Sequence, residues 1–264
     1  MYTLENNQVK VIITNQAAEI ISFIDKSNDI DIIWSANPEY WSQRNPLLFP
    51  QIGNTIYKYY YTKSNKYSMG NHGFSRHSTF DYVESTDTSL VLCLKDNDIT
   101  YSQYPYHFRL YVTYNLIGKR LDISYKVIND DECMMPFAIG LHPAFNNIDF
   151  NNSKLIFEKN EKDIVDKTLL FNYDLFIKDS TLIYSDLNSN YVILDNNKSK
   201  IKICIKDYKH LAIWTPKTNA PMICIEPWKN LPNNSENIVF EEYEDMIKLN
   251  SSDQYNMSYY IEIE

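Results

Sequence analysis

Phe108-Arg-Leu-Tyr-Val-Thr-Tyr-Asn-Leu-Ile-Gly118-Lys-Arg-Leu-Asp-Ile-Ser-Tyr-Lys-Val-Ile128 is the stretch whose reading decides the fold class. Leu110, Val112, Tyr114 and Leu116 alternate with more polar neighbours, and Leu121, Ile123, Tyr125 and Val127 do the same. A period of two is that of a strand with one buried face. Ile117-Gly118-Lys119 supplies a turn between the two runs, so the stretch reads as two antiparallel strands. Residues 80–85 and 89–95 extend the meander upstream, with Thr86-Asp87-Thr88 as their turn.

Further out the pattern repeats. Residues 9–14, 19–25, 29–35, 191–194, 201–206, 211–215 and 257–263 are short apolar or alternating runs, while 137–141 and 222–225 read as buried strands. Residues 45–54, with Pro46, Pro50 and Gly53, read as a packed irregular connection, and 56–70 as a polar hairpin. Residues 151–186 are polar with a weaker pattern, 171–179 being the most structured part. Residues 231–254 read as a polar loop with at most a turn of helix near 240–247. No internal repeat, low-complexity linker or helix of three full turns stands out. The expectation is one all-β domain over residues 1–264, with about 15–20 short strands, too many for one flat sheet and therefore a large antiparallel sandwich.

The 264 residues are 44% hydrophobic and 22% charged, ordinary for a globular protein. Net charge is −9, and Lys and Arg are not clustered. This balance argues against nucleic acid and anionic membrane as partners. The 22 tyrosines favour strands and also suit polar ligands such as sugars. Cys93, Cys133, Cys204 and Cys224 show no CxxC spacing and read as reduced thiols of a cytoplasmic protein. The N-terminal residues lack the features of a signal peptide, and no apolar run approaches the ~18 residues of a membrane span.

Three stretches carry candidate chemistry. Met222-Ile-Cys-Ile-Glu226-Pro-Trp228 places a carboxylate at the end of an apolar run. Pro227 cannot donate to a ladder, so the strand is expected to stop there. Partial desolvation beside Trp228 would raise the Glu226 pKa and make it a useful base; a strand-end Glu facing water is the plainer alternative. His142, between an apolar strand and Pro143, is held extended and aimed by the strand end. It suits a proton donor, or a half-buried His bonded to backbone. His72 precedes Gly73 in a loop, with the Arg76 guanidinium nearby and His77 five residues on. Without HExxH or a Cys ligand, no metal is expected at that His pair. There is no G-x-S-x-G, and five glycines in all would barely supply a phosphate-cradling loop.

Taken in order, Asn45-Pro-Leu-Leu-Phe-Pro-Gln-Ile-Gly53, His72-Gly-Phe-Ser-Arg76, Gly140-Leu-His142-Pro-Ala-Phe145, Ile213-Trp214-Thr215 and Cys224-Ile-Glu226-Pro-Trp228 resemble the aldose 1-epimerase (galactose mutarotase-like) family, in its compact bacterial branch. The resemblance implies an all-β antiparallel β-supersandwich, an open sugar cleft, and interconversion of the α and β anomers of a free hexose without a cofactor. It assigns Glu226 as base and His142 as acid. His72 and Arg76 would hold sugar hydroxyls, Asp179 would be an acidic sugar ligand, and Trp228 an apolar wall. Asn54 stands where family members frequently have Arg, which opens the alternative of a catalytically idle sugar-binding protein; a hexose-phosphate mutarotase is a further alternative, against which the few cations near the motifs, Arg76 with Lys229 and Arg44, weigh. The expected partner is a small sugar, and the expected assembly a monomer or homodimer.

Overall fold

A computed structural model describes residues 1–62, 65–178, 181–216, 220–233, 236 and 238–264. Among them the meander forms one end of a nine-stranded antiparallel sheet. Its spatial order is Thr168–Leu170, Lys154–Phe157, Tyr191–Asp195, Lys200–Cys204, Gln254–Ile263, Arg120–Asn129, Phe108–Ile117, Ser89–Lys95 and Asp81–Ser85. The alternation read from the sequence decides which face is buried. Leu110, Val112, Tyr114, Leu121, Ile123, Val127, Tyr259 and Ile261 all turn inward and are buried. Ile123 lies opposite Tyr114 on one side and Tyr259 on the other, so inward residues of three strands form continuous rows. Burying an aliphatic side chain of this size contributes ~1.5–3 kcal/mol, which makes the sheet the main hydrophobic stabiliser.

Two four-stranded sheets supply further surface to the same core. One is Tyr2–Glu5, Val9–Ile13, Ile20–Asp25 and Ile30–Asp31; the other is Ala144–Phe145, Ile223–Trp228, His210–Trp214 and Thr181–Ser185. The Tyr114 hydroxyl donates to the Ala18 carbonyl, and Phe157 meets Tyr184 edge-on at 6.1 Å, so both sheets touch the large one. Isolated bridges join Ile33 to Phe145, Leu48 to Gly140 and Gly140 to Trp228, fastening residues 45–54 to the Glu226 strand. The polar hairpin forms, as Tyr59–Thr62 paired with Asn65–Ser68.

Some sequence expectations need correction. The Glu226 strand runs through Pro227 to Trp228, and Leu211 pairs with Pro227 in register. The Pro227 carbonyl accepts from Leu141 N–H at 3.0 Å. Its missing N–H therefore faces the irregular 139–143 segment, where no regular ladder needs it. Glu226 is accordingly not a strand-end residue facing water. The described part of 240–247 forms no helix; Phe240 is buried and stacks on Tyr60 at 3.7 Å. The weakly patterned region 151–186 contributes the strands Lys154–Phe157, Thr168–Leu170 and Thr181–Ser185. A six-residue helix, Asp98–Gln103, is capped by the Asn97 side chain and had no signal of its own. Among the described residues no helix is long and apolar enough to cross a membrane.

Candidate active site

The strand Ile223–Trp228 carries Cys224, Glu226 and Trp228 on one face, because successive strand side chains alternate. Cross-strand, Glu226 lies opposite Ala212 and Cys224 opposite Trp214. Glu226 is only 1% exposed, and neither carboxylate oxygen has a hydrogen-bond partner among the described residues.

His142 is brought to it by the chain either side. Leu141 N–H donates to Pro227 O, and Ile225 N–H to Pro143 O at 3.1 Å. Gly140 permits this close approach, since a Cβ there would meet the Trp228 ring at 2.7 Å. The Trp228 indole N–H donates to Leu141 O at 3.2 Å, which holds the same segment down. His142 Nε2 ends 3.4 Å from Glu226 Oε2, and Nδ1 is buried without a partner.

His72 reaches the pair from a strained turn. It sits at φ +63, and the following Gly73 at φ +73 has no room for a side chain: a Cβ would lie 2.1 Å from Phe49 O. His72 N–H donates to Gly53 O at 2.8 Å, while Gly53 N–H donates to His72 Nδ1 at 3.0 Å. With Nδ1 accepting, the neutral ring must carry its proton on Nε2. Its ring meets that of His142 edge-on at 5.7 Å. Arg76 follows in the short 3-10 turn Ser75–His77, anchored by Ser75 Oγ donating to Leu47 O at 2.5 Å. Arg76 Nε is buried and unpartnered.

Together Asn71, His72, Arg76, His142, Glu226 and Trp228, with Trp41, Trp214 and Thr181, line a cavity of about 260 Å³. That is below the ~300–1,000 Å³ of drug-sized ligand sites and suits a small polar molecule. A larger open groove of about 740 Å³ lies elsewhere, between Tyr111, Ser124, Lys126, Asp207 and Lys229. It has no histidine and no buried carboxylate, so the smaller cavity is the candidate site. Asn54 is exposed and lines a different, minor pocket with Thr55 and Leu231. Asp179 lies outside the described residues; Thr181, two residues on, lines the cavity.

Two aromatic residues were given no site role by the sequence reading: Trp214, quoted there only within a motif, and Trp41, which belonged to none. Trp41 stacks on the His142 ring at 5.0 Å and 25°, and both His142 and Trp41 meet Trp214 edge-on, at 5.7 and 5.5 Å. The Trp34 indole donates to Trp41 O at 2.8 Å and fixes the loop. The available signal was compositional: Tyr40-Trp41 in an interruption between strands, an apolar pair where loops are ordinarily polar.

Burial dominates the electrostatics. It pushes the Glu226 carboxyl well above its usual pKa, with Trp228 and Arg76 only partly drawing it back. It also pushes His142 well below the usual imidazole value, helped by His72 and Arg76. Burial, and then the Arg76 charge, lower His72 to about 3, so its ring is neutral near pH 7. Arg76 is itself lowered by burial, while Glu19 and Glu226 pull it back up.

The aldose 1-epimerase family profile matches residues 1–257. Protein LacX (chromosomal) of Lactococcus lactis subsp. lactis is 28% identical, with 98% of this chain and 98% of that one aligned. A galactose mutarotase related enzyme from Lactobacillus acidophilus superposes with a TM-score of 0.92 at 29% identity, covering 100% of this chain and 97% of that one. A galactose mutarotase-like protein from Lactobacillus casei gives 0.93 at 26% identity over 100% of both chains. The architecture is thus the antiparallel β-supersandwich of galactose mutarotase-like proteins.

Proposed function

Because this chain belongs to the aldose 1-epimerase family, we propose that it interconverts the α and β anomers of a free hexose such as galactose or glucose, by general acid/base catalysis at Glu226 and His142. The observation that carries this reading is the buried, unpartnered Glu226–His142 pair at 3.4 Å on the wall of a sugar-sized cavity.

The reaction needs a base for the C1 hydroxyl proton and an acid for the ring oxygen. Breaking the C1–O5 bond then gives the open-chain aldehyde, which turns about C1–C2 and recloses with the two roles exchanged. No proton is gained or lost overall, so the pair must hold one proton in total. Burial favours the neutral arrangement, a protonated Glu226 beside a neutral His142. Moving that proton across gives the carboxylate and imidazolium that the first step uses. A sugar hydroxyl facing Glu226 and a ring oxygen facing His142 would stabilise this charged arrangement, since both supply the missing hydrogen bonds. His72 would donate Nε2–H, and Arg76 its guanidinium, to sugar oxygens. Trp228, Trp41 and Trp214 would offer apolar faces; Asp179 keeps its proposed part as an acidic sugar ligand, whereas Asn54, which lines a different pocket, is given none in this cavity.

Among the described lining residues Arg76 is the one permanent cation, which favours a neutral hexose over a hexose phosphate. The reaction would take place in the cytoplasm, a setting that suits four cysteines without disulfide partners.

The deciding experiment is proton NMR of the anomeric signals, or polarimetry, on freshly dissolved α-galactose, α-glucose and glucose 6-phosphate. Acceleration by the native chain that falls ~10²-fold or more in Glu226→Gln and in His142→Asn is expected, the usual scale for a lost acid or base. Hexose binding without acceleration would replace this reading with an idle sugar-binding protein.

A further inference from the structure

Cys224 has no part in the anomerisation chemistry, yet it stands directly behind the acid–base pair. Alternation puts Cys224 and Glu226 on the same face of one strand. The neighbouring strand pairs Ala144 with Cys224, so the segment carrying His142 runs alongside. The Cys224 Sγ, an imidazole nitrogen of His142 and a carboxylate oxygen of Glu226 all lie within 4.8 Å of one another, and all three residues are buried. Both Glu226 oxygens and His142 Nδ1 lack partners among the described residues.

The 3.4 Å between His142 Nε2 and Glu226 Oε2 is long for a charge-assisted hydrogen bond, normally ~2.7–2.9 Å. It equals the edge between two ligands ~2.0–2.1 Å from a tetrahedral zinc. We propose that His142, Cys224 and Glu226 form a three-ligand site for a borderline or soft divalent cation, Zn²⁺ or Cd²⁺, whose fourth position opens on the sugar cavity. A thiolate, an imidazole and one carboxylate select such ions. Mg²⁺ and Ca²⁺, which require six or more oxygen-rich ligands, find too few here. On binding, the thiol proton leaves to solvent, and so does any proton on the carboxyl. The two resulting anions neutralise the dication, so the buried cluster carries no net charge. While bound, the ion occupies both catalytic groups. That inhibitory consequence rests on the mutarotase reading, whereas the binding itself does not.

Cys224 otherwise serves as a small apolar residue packed with Trp34, Ala144, Ala220 and Met222, so alanine should be tolerated there. The test is a Cd²⁺ titration of the full chain without sugar, following the ultraviolet thiolate-to-cadmium band and the bound ion by equilibrium dialysis. One ion per chain with the band is expected. In Cys224→Ala the band should vanish and affinity should fall ~100-fold or more, beyond the ~10–100-fold cost of an outer partner. Cys133→Ser, at a half-buried thiol elsewhere, should change neither. No band in the native chain, a band that persists in Cys224→Ala, or one lost in Cys133→Ser would overturn the site. A failed mutarotation assay would leave this result standing.

Discussion

Two buried glutamates, Glu161 and Glu226, are treated in opposite ways by the same fold. Glu161, 8% exposed, accepts from the Asn188 and Ser189 N–H groups at 2.9 and 2.7 Å, from Ser189 Oγ at 2.6 Å and from Asn188 Nδ2 at 3.2 Å. Glu226, 1% exposed, accepts from nothing among the described residues. An unmet buried polar group costs about 1–3 kcal/mol, and native structures leave few of them. Glu161 ties the 188–189 turn to its own loop and is a structural carboxylate. Glu226 keeps its acceptor capacity for something that enters the cavity, and hydroxyl groups are suitable donors.

The comparison breaks most visibly by exchanging the two phenotypes. Glu226→Gln should abolish ~10²-fold or more of the anomerisation rate while leaving thermal stability near that of the native chain, because an isosteric amide replaces a carboxyl that burial already favours in its neutral form. Glu161→Ala should do the reverse. It orphans several donors, so chemical denaturation should show a loss of ~2–4 kcal/mol with the rate unchanged. A Glu226→Gln protein that is unstable yet active would make Glu226 another Glu161.

Trp41 sharpens the contrast at smaller scale. Its ring covers one face of His142 and holds the imidazole against Glu226. Aromatic pairs of this kind are worth ~0.5–1.5 kcal/mol. Trp41→Leu should therefore lower kcat about 2–10-fold with little change in the denaturation midpoint. An unchanged kcat with a raised KM would instead mark Trp41 as a sugar contact alone.

That Trp41 went unread shows where sequence legibility ends. The meander around Gly118 was plain because one face of each strand is buried, and burial writes itself as alternation. Glu226, His142, His72, Arg76 and Trp228 were named through motifs that lie far apart in sequence and line one cavity. Trp41 sits in an irregular segment held by a turn on Asn37, by the indole bond from Trp34 and by stacking on His142; no local period encodes the last two contacts. Pro227 misled for a related reason. Its lost donor matters only if a regular ladder lies on that side, and the neighbour there is the irregular 139–143 segment. Likewise Lys154–Phe157 and Thr168–Leu170 are short outer strands of the large sheet, too brief for their alternation to stand out.

A pH-dependent contrast concerns His72, which shares features of both glutamates: Nδ1 is satisfied by Gly53 N–H, and Nε2–H is the donor left for ligand. Asparagine tolerates the left-handed φ of +63, and its side-chain oxygen can accept from Gly53. His72→Asn should therefore fold and lose only the Nε2–H donor. Burial and Arg76 hold the His72 pKa at about 3, against ~6.5 in an unfolded chain. Between those values the unfolded chain binds a proton that the folded chain lacks. His72 consequently weakens the fold as pH drops below about 6.5, by at most ~1.4 kcal/mol per pH unit. His142 acts in the same direction. Glu226, with its pKa raised, acts oppositely, because the folded state takes up its proton first as pH falls. Both groups are present in the native chain and in His72→Asn alike, so the difference between the two proteins reports on His72. Denaturation midpoints at pH 7 and pH 5 should then show His72→Asn gaining on the native chain by up to ~2 kcal/mol at the lower pH. A gap that stays constant would mean that the imidazole charges without resistance, and that the Gly53 N–H bond to Nδ1 does not hold the ring neutral.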